Sequence, residues 1–113
     1  MITLYGIPNC DTIKKARNWL KDNDIDYEFH DYKKLGVPEK ELINWVKKLG
    51  WEILLNKRGT TWRKLDDKTK DTVNEKSAIQ IMLDNPSIIK RPVLDSNEVI
   101  TVGFKPEIYK ELF

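Results

Sequence analysis

The sequence predicts an α/β fold in the order strand, helix, strand, then a helical stretch, then strand, strand, helix. Three observations carry this prediction. Short apolar or alternating runs at residues 2–5, 25–32, 91–94 and 98–102 read as strands. Ile13, Ala16, Trp19 and Leu20 recur at spacings of three and four, which gives a helix one packing face. Between these terminal parts, residues 35–89 carry helical spacing and little strand patterning.

In order, residues 2–5 form a buried strand, and Met1 leads directly into it. Gly6 and Pro8 punctuate a loop. The first helix is expected at about 12–22, with Lys14, Lys15, Arg17, Lys21 and Asp22 mostly on its polar faces. Asn23 and Asp24 end it. The strand at 25–32 follows, with Ile25, Tyr27, Phe29 and Asp31 alternating. A unit of this length suggests a right-handed parallel crossover. Pro38 and Glu39 mark the next helix start, Leu42, Trp45, Val46 and Leu49 supply its stripe, and Gly50 closes it. Residues 51–55 read as a further helical turn, 56–61 as a loop, and 67–73 and 75–84 as helices, the last ending at Asn85-Pro86. Trp45, Trp51 and Trp62 read as core or inter-helix packing, since no basic-aromatic interleaving suggests base stacking. Asp95, Ser96 and Asn97 are the turn residues of a terminal hairpin. Pro106 opens a last helix, packed through Ile108, Tyr109, Leu112 and Phe113.

Length and composition set bounds. A chain of 113 residues is read as one domain, with the helical insert at about 35–89 inside it. Twenty basic residues face eighteen acidic ones, a formal charge of +2, too little to indicate nucleic-acid or membrane binding. With one cysteine, no signal peptide pattern and no long apolar span, a reducing cytoplasm is the expected setting.

The single cysteine, Cys10, falls where the first strand hands over to a helix. Free N–H groups and the dipole at a helix start favour an anion, so a thiol there loses its proton more easily and becomes a nucleophile. The alternative is a small buried hydrophobe. Thr12 caps the helix or hydrogen-bonds the sulfur. Lys14 and Lys15 read as solvated, with added positive potential as their functional alternative. His30, on the second strand away from the cysteine loop, reads as structural or solvent-facing. One Cys and one His cannot form a closed zinc site, so no metal is expected.

Four motifs carry a resemblance. They are Tyr5-Gly6-Ile7-Pro8-Asn9-Cys10-Asp11-Thr12-Ile13-Lys14-Lys15-Ala16, Asn56-Lys57-Arg58-Gly59-Thr60-Thr61-Trp62-Arg63-Lys64-Leu65, Ile89-Lys90-Arg91-Pro92-Val93-Leu94 and Val102-Gly103-Phe104-Lys105-Pro106-Glu107. In this order and at these separations the chain resembles the arsenate reductase-like (ArsC/Spx) family of thioredoxin folds, above all its YffB-type branch. The resemblance implies a four-stranded mixed sheet with helices on both faces and a cis peptide between Arg91 and Pro92, facing the cysteine. It implies Cys10 as catalytic nucleophile, Arg91 and Arg58 as holders of an anionic substrate, Thr12 beside them, and Pro92 against glutathione.

With one thiol, a redox cycle needs an outside partner, and the resemblance implies a glutathione-dependent thiol reductase with glutathione as co-substrate. Two departures bear on the alternatives. Arsenate reductases of the family use a further arginine near the last strand, where this chain has Lys105, a point charge without a bidentate fork. Spx-type regulators usually carry Cys-x-x-Cys, whereas this chain has Cys10-Asp11-Thr12-Ile13. The alternatives are therefore a non-enzymatic Spx-like regulator binding RNA polymerase, a true arsenate reductase, or a fold with a buried, inert Cys10.

Overall fold

The computed structural model describes residues 2–96 and 98–113; Met1 and Asn97, the third of the expected turn residues, lie outside the described residues. The chain forms two compact units, one from residues up to Lys34 together with Arg91–Phe113, the other Leu35–Lys90.

In the first unit, β1 (Ile2–Gly6) lies at the centre of a four-stranded sheet. It runs parallel to β2 (Tyr27–Asp31) and antiparallel to β3 (Val93–Asp95), which in turn pairs antiparallel with β4 (Ile100–Val102). The sheet is mixed, as expected. Register places Leu4 opposite Phe29 and Leu94, and Tyr5 opposite His30 and Val93. Since successive side chains leave opposite faces of a strand, Leu4 and Leu94 reach one face. There they are fully buried against Ala16 and Leu20 of α1 (Asp11–Asp22) and Tyr109 of α8 (Pro106–Leu112). Each of the buried leucines contributes about 1.5–3 kcal/mol.

The second strand is shorter than the sequence pattern suggests, because both ends have other uses. Asn23 closes α1 by donating its side-chain N–H to the Trp19 carbonyl at 2.8 Å, Asp24 takes a left-handed turn at φ 56°, and the Ile25 N–H returns to the Leu20 carbonyl. Asp is among the few residues that tolerate this conformation. At the other end Asp31 accepts the Lys33 N–H at 2.8 Å, which starts the single turn α2 (Tyr32–Leu35). Arg17 ties helix to strand by donating to the Tyr27 hydroxyl at 3.0 Å and stacking over the Phe29 ring.

The terminal hairpin is narrower than predicted. Arg91 and Pro92 precede β3, and Ser96 is bonded to Val99 through the Ser96 N–H and the Val99 N–H, so residues 98 and 99 belong to the turn. Of the four residues expected to pack α8, Tyr109 is fully buried, Leu112 is packed against the core, and Phe113 sets its ring 6.1 Å from that of Trp19; Ile108 instead is 42% exposed.

The second unit is helical. In α3 (Glu39–Leu49), Leu42, Trp45 and Val46 are buried, and Gly50 stops the helix at φ 91°. The turn α4 (Trp51–Leu54) and the helix α7 (Glu75–Asp84) pack against α3. A reciprocal capping box between Asn74 and Ser77 fixes the start of α7. Residues 56–61 are not all loop, because α5 (Thr60–Arg63) begins after Gly59. The segment expected at 67–73 is only α6 (Asp67–Asp71), where Thr72 turns its hydroxyl back to the Lys68 carbonyl at 2.7 Å. After α7 a 3₁₀ turn at Pro86–Ile88 leads to a bridge between Leu55 and Ile89 that strand patterning does not reveal. Among the described residues, no helix is long and apolar enough to cross a membrane.

Tyr109 separates packing from polarity in this core. Its ring meets Trp19 and Phe104 edge-on at 5.6 and 4.8 Å, yet its buried hydroxyl has no hydrogen-bond partner among the described residues. Tyr109→Phe is therefore expected to leave stability unchanged or raise it by up to about 1 kcal/mol. Tyr109→Ala is expected to cost about 3–5 kcal/mol in urea unfolding.

Candidate functional site

The site begins with Gly6, the last residue of β1. A Cβ built there would run into the Ile13 side chain and approach the Arg91 Cβ to 3.7 Å. Glycine here leaves the room beside the strand end that the Ile13 side chain, from the first turn of α1, occupies. The four residues that follow carry the chain to Cys10, whose extended backbone (φ −134°, ψ 128°) makes it the N-cap of α1, and whose carbonyl accepts the Lys14 N–H at 3.0 Å.

The capping position thus belongs to Cys10, and Thr12 lies inside the first turn, which removes the capping role from its side chain. The sulfur makes no conventional capping hydrogen bond. Instead the N–H groups of Ile13 and Thr12 lie near enough to stabilise negative charge on it, as unpaired N–H groups at a helix start do.

Arg91 supplies the second element. The Arg91–Pro92 peptide is cis, as the sequence resemblance implies, and Arg91 hydrogen-bonds the Cys10 sulfur through its side chain. Partial burial of Cys10 pushes its pKa up. Against it act the Ile13 N–H, the Arg91 hydrogen bond, the Thr12 N–H and the Arg91 charge, and together they prevail, so the thiol ionises below the ordinary cysteine range. Cys10 is half-buried rather than enclosed, which does not fit a buried, inert thiol.

Pro92 is buried directly after Arg91. Lys14 and Lys15 are exposed on α1, and Lys105 is the exposed N-cap of α8. His30 packs its ring against Tyr5 at 5.0 Å and Tyr32 at 6.0 Å on the sheet, in keeping with a structural part. Arg58 is an exposed residue of the helical unit, on the loop before α5. The Ile13 N–H is a contributor that residue-type reasoning overlooks, because a backbone donor has no signature in the sequence beyond the helix start itself. Another is the setting of Lys57, whose ammonium lies 5.3 Å from the Trp51 ring centre and 5.5 Å from that of Trp62. Only Trp45 of these three tryptophans is core.

A mixed α/β sheet with a cysteine capping the first helix, and an arginine before a cis-proline on its sulfur, defines a thiol-bearing protein of thioredoxin-like fold. More narrowly, residues 5–112 match the ArsC family, and the chain belongs to it. It is similar to the solved YffB protein, with 48% identity and a TM-score of 0.95 over 98% of this chain and 97% of that one. An arsenate reductase (ArsC) related protein from Brucella melitensis shares 51% identity at a TM-score of 0.78, covering 97% and 92% of the two chains. The global transcriptional regulator Spx of Streptococcus mutans is 28% identical across 95% of this chain and 79% of its own.

The pH profile of Cys10 alkylation checks the electrostatics. The wild-type midpoint is expected below the roughly 8.5 of a free cysteine. Arg91→Ala, which removes both a hydrogen bond to the sulfur and a positive charge, should move it upward. Arg91→Lys should fall between. An unmoved midpoint in Arg91→Ala would remove Arg91 from the site.

Proposed function

We propose that the protein is a glutathione-dependent thiol reductase that uses Cys10 as its only nucleophile. The observation that carries this reading is the accessible Cys10 sulfur, lowered in pKa by the start of α1 and by Arg91. Its sequence likeness to YffB and to an arsenate reductase related protein supports the same class.

The chemistry is thiol–disulfide exchange. The Cys10 thiolate attacks the glutathione sulfur of a mixed disulfide. A sulfur–sulfur bond to Cys10 forms, the original one breaks, and the substrate leaves as a thiolate that takes a proton from water. A second glutathione thiolate then attacks the glutathione sulfur now on Cys10, releasing glutathione disulfide and regenerating the Cys10 thiolate. One mixed disulfide and one glutathione thus give one thiol and one glutathione disulfide. A lowered pKa favours both steps, since it raises the thiolate fraction at neutral pH and makes Cys10 the better leaving group in the second. Helix N–H groups and Arg91 hold charge on the Cys10 sulfur, Thr12 lies beside them, and Pro92 borders the bound tripeptide. Arg58 takes an anionic group of the substrate. Arsenate is a poor fit, because Lys105 stands where the reductases carry a third arginine.

A second reading is favoured by a separate observation. Leu35 and Ile53 in the helical unit are 69% and 50% exposed, and Spx is among the relatives. Under that reading the helical unit docks on RNA polymerase and Cys10 is dispensable.

Glutathione-dependent reduction of a small mixed disulfide separates the two. Wild type should turn over and accumulate a Cys10–glutathione adduct visible by mass spectrometry. Cys10→Ser should lose turnover to background. If wild type shows neither turnover nor adduct, and Cys10→Ser binds polymerase as well as wild type does, the regulator reading takes over.

A further inference from the structure

The loop that carries Arg58 is held from three sides within the helical unit. At its base, the Asn56 N–H donates to the Ile88 carbonyl and the Lys90 N–H to the Leu54 carbonyl, both at 2.8 Å, around the Leu55–Ile89 bridge. At its turn, the Asn56 side chain accepts the Arg58 N–H at 3.1 Å, a turn that asparagine side chains favour. A Cβ on Gly59 would come within 3.1 Å of the Asn56 amide nitrogen, so glycine keeps that turn tight. On its flank, Lys57 places its ammonium over both Trp51 and Trp62.

The two adjacent cations therefore have different partners. Lys57 is held by aromatic faces, an arrangement that attracts a cation electrostatically. Arg58 lines a cleft of about 330 Å³ with Lys57, Lys90, Asn56, Leu55 and Glu52. Among the described residues, neither Arg58 nor Lys90 forms an ion pair, so the guanidinium is not neutralised by Glu52.

We infer that Lys57, clamped between Trp51 and Trp62, is a positioning residue that fixes the Asn56-Lys57-Arg58-Gly59 turn and so presents the Arg58 guanidinium to an anionic group of the substrate. This inference rests on the reductase reading for the identity of that substrate, but not for the existence of the clamp. Lys57 acts through Arg58 and makes no substrate contact of its own. An arginine can replace it, because a guanidinium also stacks on an indole face. A methionine keeps the apolar stem and loses the charge.

Two measurements on the full chain test it, glutathione affinity by calorimetry and hydrogen exchange at the Arg58 amide. Lys57→Met should weaken glutathione binding by about fivefold, the scale of one cation–π contact, and speed exchange at the Arg58 N–H. Lys57→Arg should restore both. In the background of Arg58→Ala, Lys57→Met should have no further effect on affinity, since its influence passes through the missing guanidinium. Equal, additive losses from the two substitutions would show that Lys57 contacts the ligand and would overturn the inference. So would unchanged Arg58 exchange in Lys57→Met. If wild type does not bind glutathione, or Arg58→Ala binds it normally, the reductase reading of Arg58 fails, and the exchange data alone decide the clamp.

Discussion

The arrangement on which the site depends is the meeting of three segments around Gly6: the end of β1, the first turn of α1 through Ile13, and the start of the cis Arg91–Pro92 peptide. A Cβ at residue 6 would run into the fully buried Ile13 side chain, which would have to shift. The approach brings the helix N–H groups and the Arg91 guanidinium onto one sulfur. Burial alone would raise the Cys10 pKa, and here it is outweighed by several weak donors acting together. The α/β core of Leu4, Ala16, Leu20, Leu94 and Tyr109 supplies the rigidity that keeps those donors in place.

The helical unit solves a different problem. It must display a charged loop without letting it collapse onto a neighbouring carboxylate. The bridge at Leu55 and Ile89, the Asn56 turn and the Trp51–Lys57–Trp62 contact each restrict the backbone on one side of Arg58. The Leu55–Ile89 bridge is buried, while the other two contacts lie at the surface, where a single ion pair contributes little. Order there comes from several weak restraints acting on one short loop.

Much of this was legible in the residues, and the limits have physical causes. The sheet and its flanking helices follow from period-2 and period-3.6 patterning: Leu4 and Leu94 alternate inward, and Ile13, Ala16 and Leu20 share a face. The cysteine at a strand-to-helix junction was readable from Gly6, Pro8 and the spacing after Thr12. Its exact place was not, because a cap is decided by one residue's backbone angles, and Cys10 rather than Thr12 adopts them. The reading of 25–32 as strand exceeds β2 at both ends, because the Ile25 N–H closes α1 and Tyr32 enters α2, which the Asp31 side chain starts. The packing given to Ile108 failed because helical spacing says which residues share a face but not which edge of that face meets a neighbour: Tyr109 is buried and Phe113 reaches the Trp19 ring, while Ile108 is exposed. Trp51 and Trp62, read as core or inter-helix packing, are half-buried and also face Lys57, since an indole serves a cation as readily as an apolar partner.

A thiol whose pKa is lower in the folded chain also links folding to pH. The group is an acid with a depressed native pKa, so its contribution to stability is fully present above the unfolded pKa and is lost as pH falls through the folded one. The direct measurement is therefore the ultraviolet titration of the Cys10 thiolate, in the native protein and in the same chain unfolded in urea, with Cys10→Ser as the blank. The account predicts a native midpoint clearly below the unfolded one. Coincident midpoints, or a native midpoint above the unfolded one, would mean that burial outweighs the helix and Arg91, and would contradict a fold built to make this thiolate.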